Sequence, residues 1–248
     1  MEVANQFSVL GLPVHLIRDY PAWLGDRVNR RLGCHVVTLN AEMTMQAEQN
    51  ATLASIISHA DLVIPDGAGI VLYLRLHGKR VQRCPGIELS EHLLRRSIAD
   101  QWSVFFLGGA PGVADQAAAE WQQRVPGIAI VGTQNGYLKP EEEPAFLDRL
   151  KTLQPQVIYV GLGVPRQELW IAQNRHVCPE AVWIGVGGSF DIWAGTKQRA
   201  PKWLCDNHLE WVYRLYQEPW RWRRMLALPK FAWRSLLYRF TKRNPVIP

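Results

Sequence analysis

Sulfur is scarce in this chain: four cysteines, Cys34, Cys84, Cys178 and Cys205, lie far apart and form no CxxC pair. Neither a zinc site nor a disulfide framework is suggested, and the four read as reduced, mostly buried thiols. No stretch approaches the roughly 18 uninterrupted apolar residues of a spanning helix. The opening MEVANQFSVL has neither a basic stretch nor a cleavable apolar core, so the expectation is a protein that stays in the cytoplasm. G-x-G-x-x-G and G-x-x-x-x-G-K-[ST] are missing, as is a D-x-D pair that could hold a divalent metal against a diphosphate. There is no internal repeat and no low-complexity segment.

What is present is apolar material for a sizeable core: 248 residues, 48% hydrophobic and 20% charged. That suits one domain with at most an appendage, and excludes a disordered or fibrous chain. The net charge of +6 is unevenly placed. From Lys202 to Arg243 there are seven Arg and three Lys against Asp206, Glu210 and Glu218, so the remainder is close to neutral. Five of the eleven tryptophans (Trp203, Trp211, Trp220, Trp222, Trp233) fall in the same tail. Basic charge interleaved with Trp is the composition of a segment resting at a lipid headgroup interface.

Six short β-rich runs, HVVTLN (35–40), DLVIPD (61–66), WSVFFLGG (102–109), IAIVGT (128–133), QVIYVGLG (156–163) and AVWIGVGG (181–188), alternate with helical stretches. The runs are continuously apolar, which suits strands covered on both faces. The expected fold is α/β, a doubly wound, mostly parallel, Rossmann-like sheet with a helical C-terminal appendage. FSVLGLPVHLI forms a small hairpin around Gly11, Leu12 and Pro13. The expected division is an α/β domain over 1–200 and the appendage over 201–248. Helices are predicted over roughly 201–217 and 220–240, broken near Pro219 and Pro229. Trp211, Leu215 and Glu218 share one face, and Trp222, Leu226, Trp233 and Leu237 a second. Those stripes either close the core or face a membrane.

In an open parallel sheet, ligands sit beyond the carboxyl ends of the strands. The closing residues here are polar and glycine-rich: Thr38 and Asn40; Asp66; Gly108, Gly109 and Pro111; Asn135 and Gly136; Gly161, Gly163, Arg166 and Gln167; Gly187, Gly188 and Asp191. Such a rim can admit a phosphorylated ligand, because glycines let backbone N–H groups approach and helix N-termini favour anions. The turn at 108–112 is equally consistent with plain helix capping. Asp66 can take a proton from an attacking hydroxyl, or cap the helix that begins near Ala68.

Seven segments in order, TLNAEM (38–43), PDGAGIV (65–71), RCPGIEL (83–89), FLGGAPGVA (106–114), GLGVPRQELW (161–170), GVGGSFDIWAGTKQRAPKW (185–203) and LEWVYRLYQEPWRWRR (209–224), resemble the WecG/TagA/CpsF family of bacterial glycosyltransferases. The resemblance runs from about Val9 to Arg224. It implies a metal-independent, inverting transfer of an N-acetylmannosamine-type sugar from a UDP-sugar donor to a polyprenyl-diphosphate-linked N-acetylglucosamine, as in cell-surface polysaccharide synthesis, with no cofactor. By that resemblance Asp66 is the general base, Thr38, Asn40 and Gln167 contact sugar, and Arg83 is a charged clamp. Gly108, Gly109, Gly187 and Gly188, with Asp191, are assigned to the nucleotide, and Asn135, Gly136, Gly163 and Arg166 to the same substrate-binding rim. Asp191 has an alternative role as a helix cap. Arg214, Arg221 and Arg224 match arginines near the active-site mouth and suit diphosphate oxygens; the alternative for them is a solvated helix face. Glu88 stands where Asp is usual, so no site role is assigned to it.

The implied location is peripheral on the inner face of the cell membrane, with self-association into a dimer or trimer left open. A nucleic-acid-binding protein would use the same arginines and aromatics. The charge is confined to the tail, however, and no nucleic-acid motif is present. A non-catalytic membrane adaptor would need the tail but not the polar rim.

Overall fold

In a computed structural model of the chain, residues 5–207 and 209–241 are described. The chain opens with an antiparallel hairpin of β1 (Asn5–Val9) and β2 (Leu12–Leu16), followed by α1 (Tyr20–Asn29). The hairpin turns at Leu10–Gly11, one residue before the expected position, because both residues have positive φ and Pro13 already pairs with Ser8. Next come β3 (Cys34–Leu39), α2 (Ala41–Ala47), α3 (Ala51–Ser58), β4 (Leu62–Pro65), α4 (Ala68–Leu76) and α5 (Gly86–Ala99). The order continues β5 (Ser103–Gly108), α6 (Val113–Arg124), β6 (Ala129–Gln134), α7 (Glu143–Leu153), β7 (Val157–Gly161), α8 (Arg166–Asn174), β8 (Val182–Gly185) and α9 (Ser189–Trp193).

Strands β3 to β8 form one parallel sheet in the order β4-β3-β8-β7-β5-β6. All six expected strands are there, within two or three residues of their expected limits. Alternate side chains feed the two faces. Val36, Val104, Phe106, Tyr159 and Ile184 meet α1, α5, α6 and α9 on one face. On the other, Val37, Leu39 and Val63 meet the hairpin, α2, α3 and α4, while Phe105, Ile158 and Trp183 meet α7 and α8. The first face is the more aromatic: Trp193 lies edge-on to Trp121 at 5.9 Å and tilted against Phe106 at 5.7 Å. Complete coverage fails at β6, one of the two edge strands, whose residues are exposed or half-buried and whose pairing with β5 shifts register after Val104.

These windings produce two crevices at the carboxyl edge. After β3 the chain turns to the α2 face, while after the adjacent β8 it turns to the α9 face. The adjacent β5 and β7 diverge in the same way, towards α6 and α8. Crevices of this kind are where open α/β sheets accept ligands.

The C-terminal helices are α10 (Lys202–Asp206), α11 (Glu210–Gln217), α12 (Trp222–Met225) and α13 (Ala227–Thr241), with a 3₁₀ turn at Pro219–Arg221. The expected break at Pro219 is present. Pro229 instead lies inside the first turn of α13, where a missing N–H costs little, and the break falls at Leu226. The proline ring excludes the carbonyl four residues earlier, at Met225, so α12 ends there. Trp222, Leu226, Trp233 and Leu237 are all exposed, so this stripe does not close the core. The anchoring is done by Phe231, only 4% exposed, which packs on Tyr73 and over Gly69. Cys34 and Cys178 are buried and Cys84 and Cys205 half-buried, all as free thiols. Among the described residues no helix is long and apolar enough to cross a membrane.

Candidate active site

The crevice between β3 and β8 opens into a cavity of about 280 Å³. Its floor is the ends of β3, β4 and β8, and α11, α12 and α13 supply the opposite wall. Thr38, Asn40, Asp66, Arg83, Gln167, Gly187, Gly188, Asp191, Arg214 and Arg224 all line it. The expected residues from six separate segments therefore meet in one place.

Asp66 follows β4, and its N–H donates to Leu39 O (3.0 Å), tying it to the neighbouring strand. It does not cap α4, whose cap position is Gly67. Its carboxylate Oδ1 instead accepts the N–H of Gly86 (2.8 Å), the first residue of α5. Capping is thus part of its role, but for a helix twenty residues on. Gly86 is required there because a Cβ would lie 2.7 Å from Thr38 Cγ2. Burial pushes the Asp66 carboxyl above the usual carboxylate range; Glu210 adds to the rise, and the Gly86 N–H, Arg83 and Arg214 oppose it.

Two guanidinium groups flank that carboxylate, although no Lys or Arg is near it in sequence. Arg83 Nε donates to Asp66 O (2.7 Å), and its Nη2 to Glu210 Oε2 (2.8 Å). Arg214 Nη2 donates to the other oxygen of Glu210 (2.6 Å). Arg224 Nε reaches Glu42 Oε1 (2.5 Å). Arg214 and Arg224 line the cavity while their side chains stay 47% and 41% exposed. The side chain of Arg221 lies outside the described residues.

The other polar residues hold the turn after β8. Thr38 Oγ1 donates to Gly185 O (3.0 Å). Gln167, only 1% exposed, accepts the Gly187 N–H (3.0 Å) and donates to Glu168 (2.9 Å), which pairs with the buried His35 at 2.7 Å. Asn40 caps α2 through Oδ1, accepting from Met43 N (3.0 Å), which leaves its amide NH₂ for the cavity. Asp191 does not cap α9, whose cap position is Gly188; it pairs with Lys197 at 3.3 Å.

Gly108, Gly109, Asn135, Gly136, Gly163 and Arg166 lie at the other crevice and do not line this cavity. Their contacts there are local. A Cβ on Gly108 would sit 2.4 Å from Gly161 O, Gly109 O accepts from Gly136 N (2.9 Å), and Gly112 caps α6 with positive φ. Gly163 O accepts from Gln167 N, Asn135 Oδ1 from Tyr137 N, and Arg166 Nε donates to Leu162 O.

The cavity also contains residues that the motifs left without a role: Glu42, Lys197, Arg199, Glu210, Trp211 and Glu218. Arg199 pairs with Glu88, and its buried Nε has no hydrogen-bond partner among the described residues. Glu210 was legible in part, since it stands four residues before Arg214 on one helix face; its contact with Arg83 was not. Among the described residues no cluster of three or more His, Cys, Asp or Glu is placed to hold a metal ion.

Comparison with known proteins gives a consistent picture. The family described as "Glycosyl transferase WecG/TagA/CpsF family" matches residues 7–245. A Bacillus spizizenii protein named N-acetylglucosaminyldiphosphoundecaprenol N-acetyl-beta-D-mannosaminyltransferase is 39% identical over 206 residues, covering 83% of this chain and 79% of that protein. A Bacillus subtilis protein of the same name is 34% identical over 206 residues, 83% of this chain and 80% of its own.

Proposed function

The chain belongs to the WecG/TagA/CpsF family of glycosyl transferases, and from that premise we propose that it moves an N-acetylmannosamine-type sugar from a UDP donor to a polyprenyl-diphosphate-linked N-acetylglucosamine, with inversion and without a metal ion. The observation that carries this is Asp66, a carboxylate with a raised pKa in a cavity where two arginines converge beside it.

Inversion needs one base. As the acceptor oxygen attacks the anomeric carbon from the face opposite the nucleotide, Asp66 takes the hydroxyl proton, and the bond from that carbon to the diphosphate oxygen breaks. The electron pair leaves with UDP. Guanidinium groups at Arg83, Arg214 and Arg224 match the charge that develops on the departing diphosphate, the task that a divalent ion performs in metal-dependent sites. Arg221 joins them by resemblance alone. Thr38 and Gln167 keep the Gly185–Gly187 turn in place beside the sugar, and the NH₂ of Asn40 is a donor to it. The nucleotide extends from Gly187, Gly188 and Asp191 towards the second crevice, where Gly108, Gly109, Asn135, Gly136, Gly163 and Arg166 form the rim.

The appendage, from residue 201 on, lays the enzyme on the inner face of the membrane, where its acceptor is found. Trp203, Trp220 and Trp233 are 62%, 71% and 63% exposed, and Trp at such exposure beside Arg suits a headgroup layer. Neither an adaptor nor a nucleic-acid-binding protein would need the enclosed carboxylate and its arginines.

The test is incubation with a panel of UDP-sugars and a short-chain lipid-diphosphate-GlcNAc, read by mass. One added N-acetylhexosamine from UDP-N-acetylmannosamine, undiminished by a chelator, is expected. No product from any donor would refute this reading.

A further inference from the structure

Glu210 is a carboxylate buried at the junction between the C-terminal helices and the α/β body, and the reaction outlined above gives it no direct part. Both of its oxygens are engaged: Oε2 by Arg83 from the body at 2.8 Å and Oε1 by Arg214 from its own helix at 2.6 Å. We infer that Glu210 is a positioning residue which holds the Arg83 and Arg214 guanidinium groups side by side next to Asp66 and couples the docking of α11 to the assembly of the site.

Two guanidinium groups brought together at a partly buried rim repel each other, and each would be free to take other rotamers. A carboxylate between them removes the repulsion and fixes both, leaving one net positive charge facing a diphosphate. Arg83 is held at its other edge by the carbonyl of Asp66 (2.7 Å), so moving Glu210 moves a group bonded directly to the Asp66 backbone. Among the described residues the other tail-to-body ion pairs are more exposed: Lys197–Glu218, Arg224–Glu42 and Arg234–Glu48. Such pairs contribute little. The Arg83–Glu210 pair, with both side chains largely covered, is the tie whose loss leaves a charge uncompensated.

Glu210 is itself held ionised. Burial pushes its carboxyl up, but Arg214 and Arg83 together outweigh that and keep it below the usual range. Asp66 is faced by Arg83, Arg214, Glu210 and the Gly86 N–H, and by Cys84, which stays protonated with its pKa pushed up to about 12, chiefly by burial. Removing the charge of Glu210 therefore removes a repulsive neighbour of Asp66 and lowers its pKa.

The inference rests on the proposed reaction, and its test keeps the two apart. In the full chain, Glu210→Gln is expected to lower kcat/KM by roughly tenfold or more, mostly through kcat, because the arginines act on the departing group. Glu210→Asp, which keeps the charge, recovers most of it. The acid limb of the pH profile shifts to lower pH in Glu210→Gln and not in Glu210→Asp. Independently of activity, amide exchange across 210–217 accelerates in Glu210→Gln and to a similar extent in Arg83→Gln, and the double variant adds little more. Wild-type kinetics and pH limb in Glu210→Gln would overturn the inference, as would equal losses in Gln and Asp variants with no movement of the limb. If the wild-type chain transfers no sugar, the reaction is wrong, and the exchange cycle alone decides: additive effects at Glu210 and Arg83 would show no coupling. Should Glu210→Gln not fold, the accelerated exchange in Arg83→Gln remains the expectation, and normal protection of α11 there refutes it.

Discussion

The two crevices of this sheet differ in what their glycines and polar residues are doing. Between β5 and β7, Gly108, Gly109 and Gly136 sit where backbone meets backbone, and the turn is satisfied by its own N–H and carbonyl groups. Between β3 and β8, the same kind of glycine-rich edge is crossed by charge gathered from far away in sequence: Asp66, Arg83, Lys197, Arg199, Glu210 and Arg224. Glycine at a strand end therefore has two causes, close backbone packing and access for a ligand, and the first is already satisfied between β5 and β7. Ionisable groups brought together by the fold, with the pKa of Asp66 raised and that of Glu210 lowered, mark the crevice where chemistry is expected.

The sharpest way to break that contrast is Asp66→Asn. If the proton acceptor sits in the β3–β8 crevice, kcat falls by roughly a hundred- to ten-thousand-fold, the range for loss of a general base. UDP binding, measured by calorimetry, stays near the wild-type value. In the wild type, transfer is lost as pH drops through the raised pKa of Asp66, so its acid limb lies above the ordinary carboxylate range. Stability moves the opposite way. A folded-state pKa above the unfolded one means that ionised Asp66 costs the native state at higher pH, and that this cost disappears below both values. Asp66→Asn should therefore melt higher than wild type at pH 8, with the gap closing on acidification. A variant that turned over normally would remove Asp66 as the base.

How far the sequence revealed this contrast follows from the range of the forces involved. The continuous apolar runs of β3, β4, β5, β7 and β8 announce buried parallel strands because both faces must be covered, whereas β6 reads alike and is left exposed or half-buried at one edge, while β4 at the other edge is covered. Edge position is set by the order of distant strands, which no local pattern encodes. At the site, Thr38, Asn40, Asp66 and Gln167 were visible as polar residues closing strands. The contact of Glu210 with Arg83, 127 residues away, and that of Arg199 with Glu88, 111 residues away, were not. Phe231 was hidden differently. It lies among exposed Trp222, Trp233 and Leu237, and only the groove over Gly69 and Tyr73 selects it as the buried one.

Phe231 gives the next largest effect, because it holds the tail over one crevice and not the other. Removing a buried Phe costs about 3–5 kcal/mol, more than the exposed pairs Arg224–Glu42 and Arg234–Glu48 can supply at roughly 0–1 kcal/mol each. Phe231→Ala should loosen α12 and α13, seen as faster amide exchange across 222–241, and lower transfer by an order of magnitude or so. The sheet should melt lower by a smaller margin, since of its three core clusters only the one on the α2–α4 side includes this ring. Liposome binding should persist, because the exposed tryptophans remain, whereas truncation after Ala200 should abolish it. Equal loss of binding in both would mean that docking and lipid contact are one event.

The smallest expected effect tests the second crevice. Arg166 is exposed, and its Nε donates to Leu162 O, so its remaining N–H groups are what it could offer a nucleotide phosphate. A solvent-accessible hydrogen bond of that kind contributes about 1 kcal/mol, so Arg166→Ala should raise the donor KM about fivefold with kcat unchanged. That signature is of uniform binding, distinct from the kcat loss at Asp66 and Glu210, because a contact far from the breaking bond stabilises bound donor and transition state alike. An unchanged donor KM would confine the nucleotide to the β3–β8 cavity, and leave the glycine turns at 108–112 with the packing role that their backbone contacts already explain.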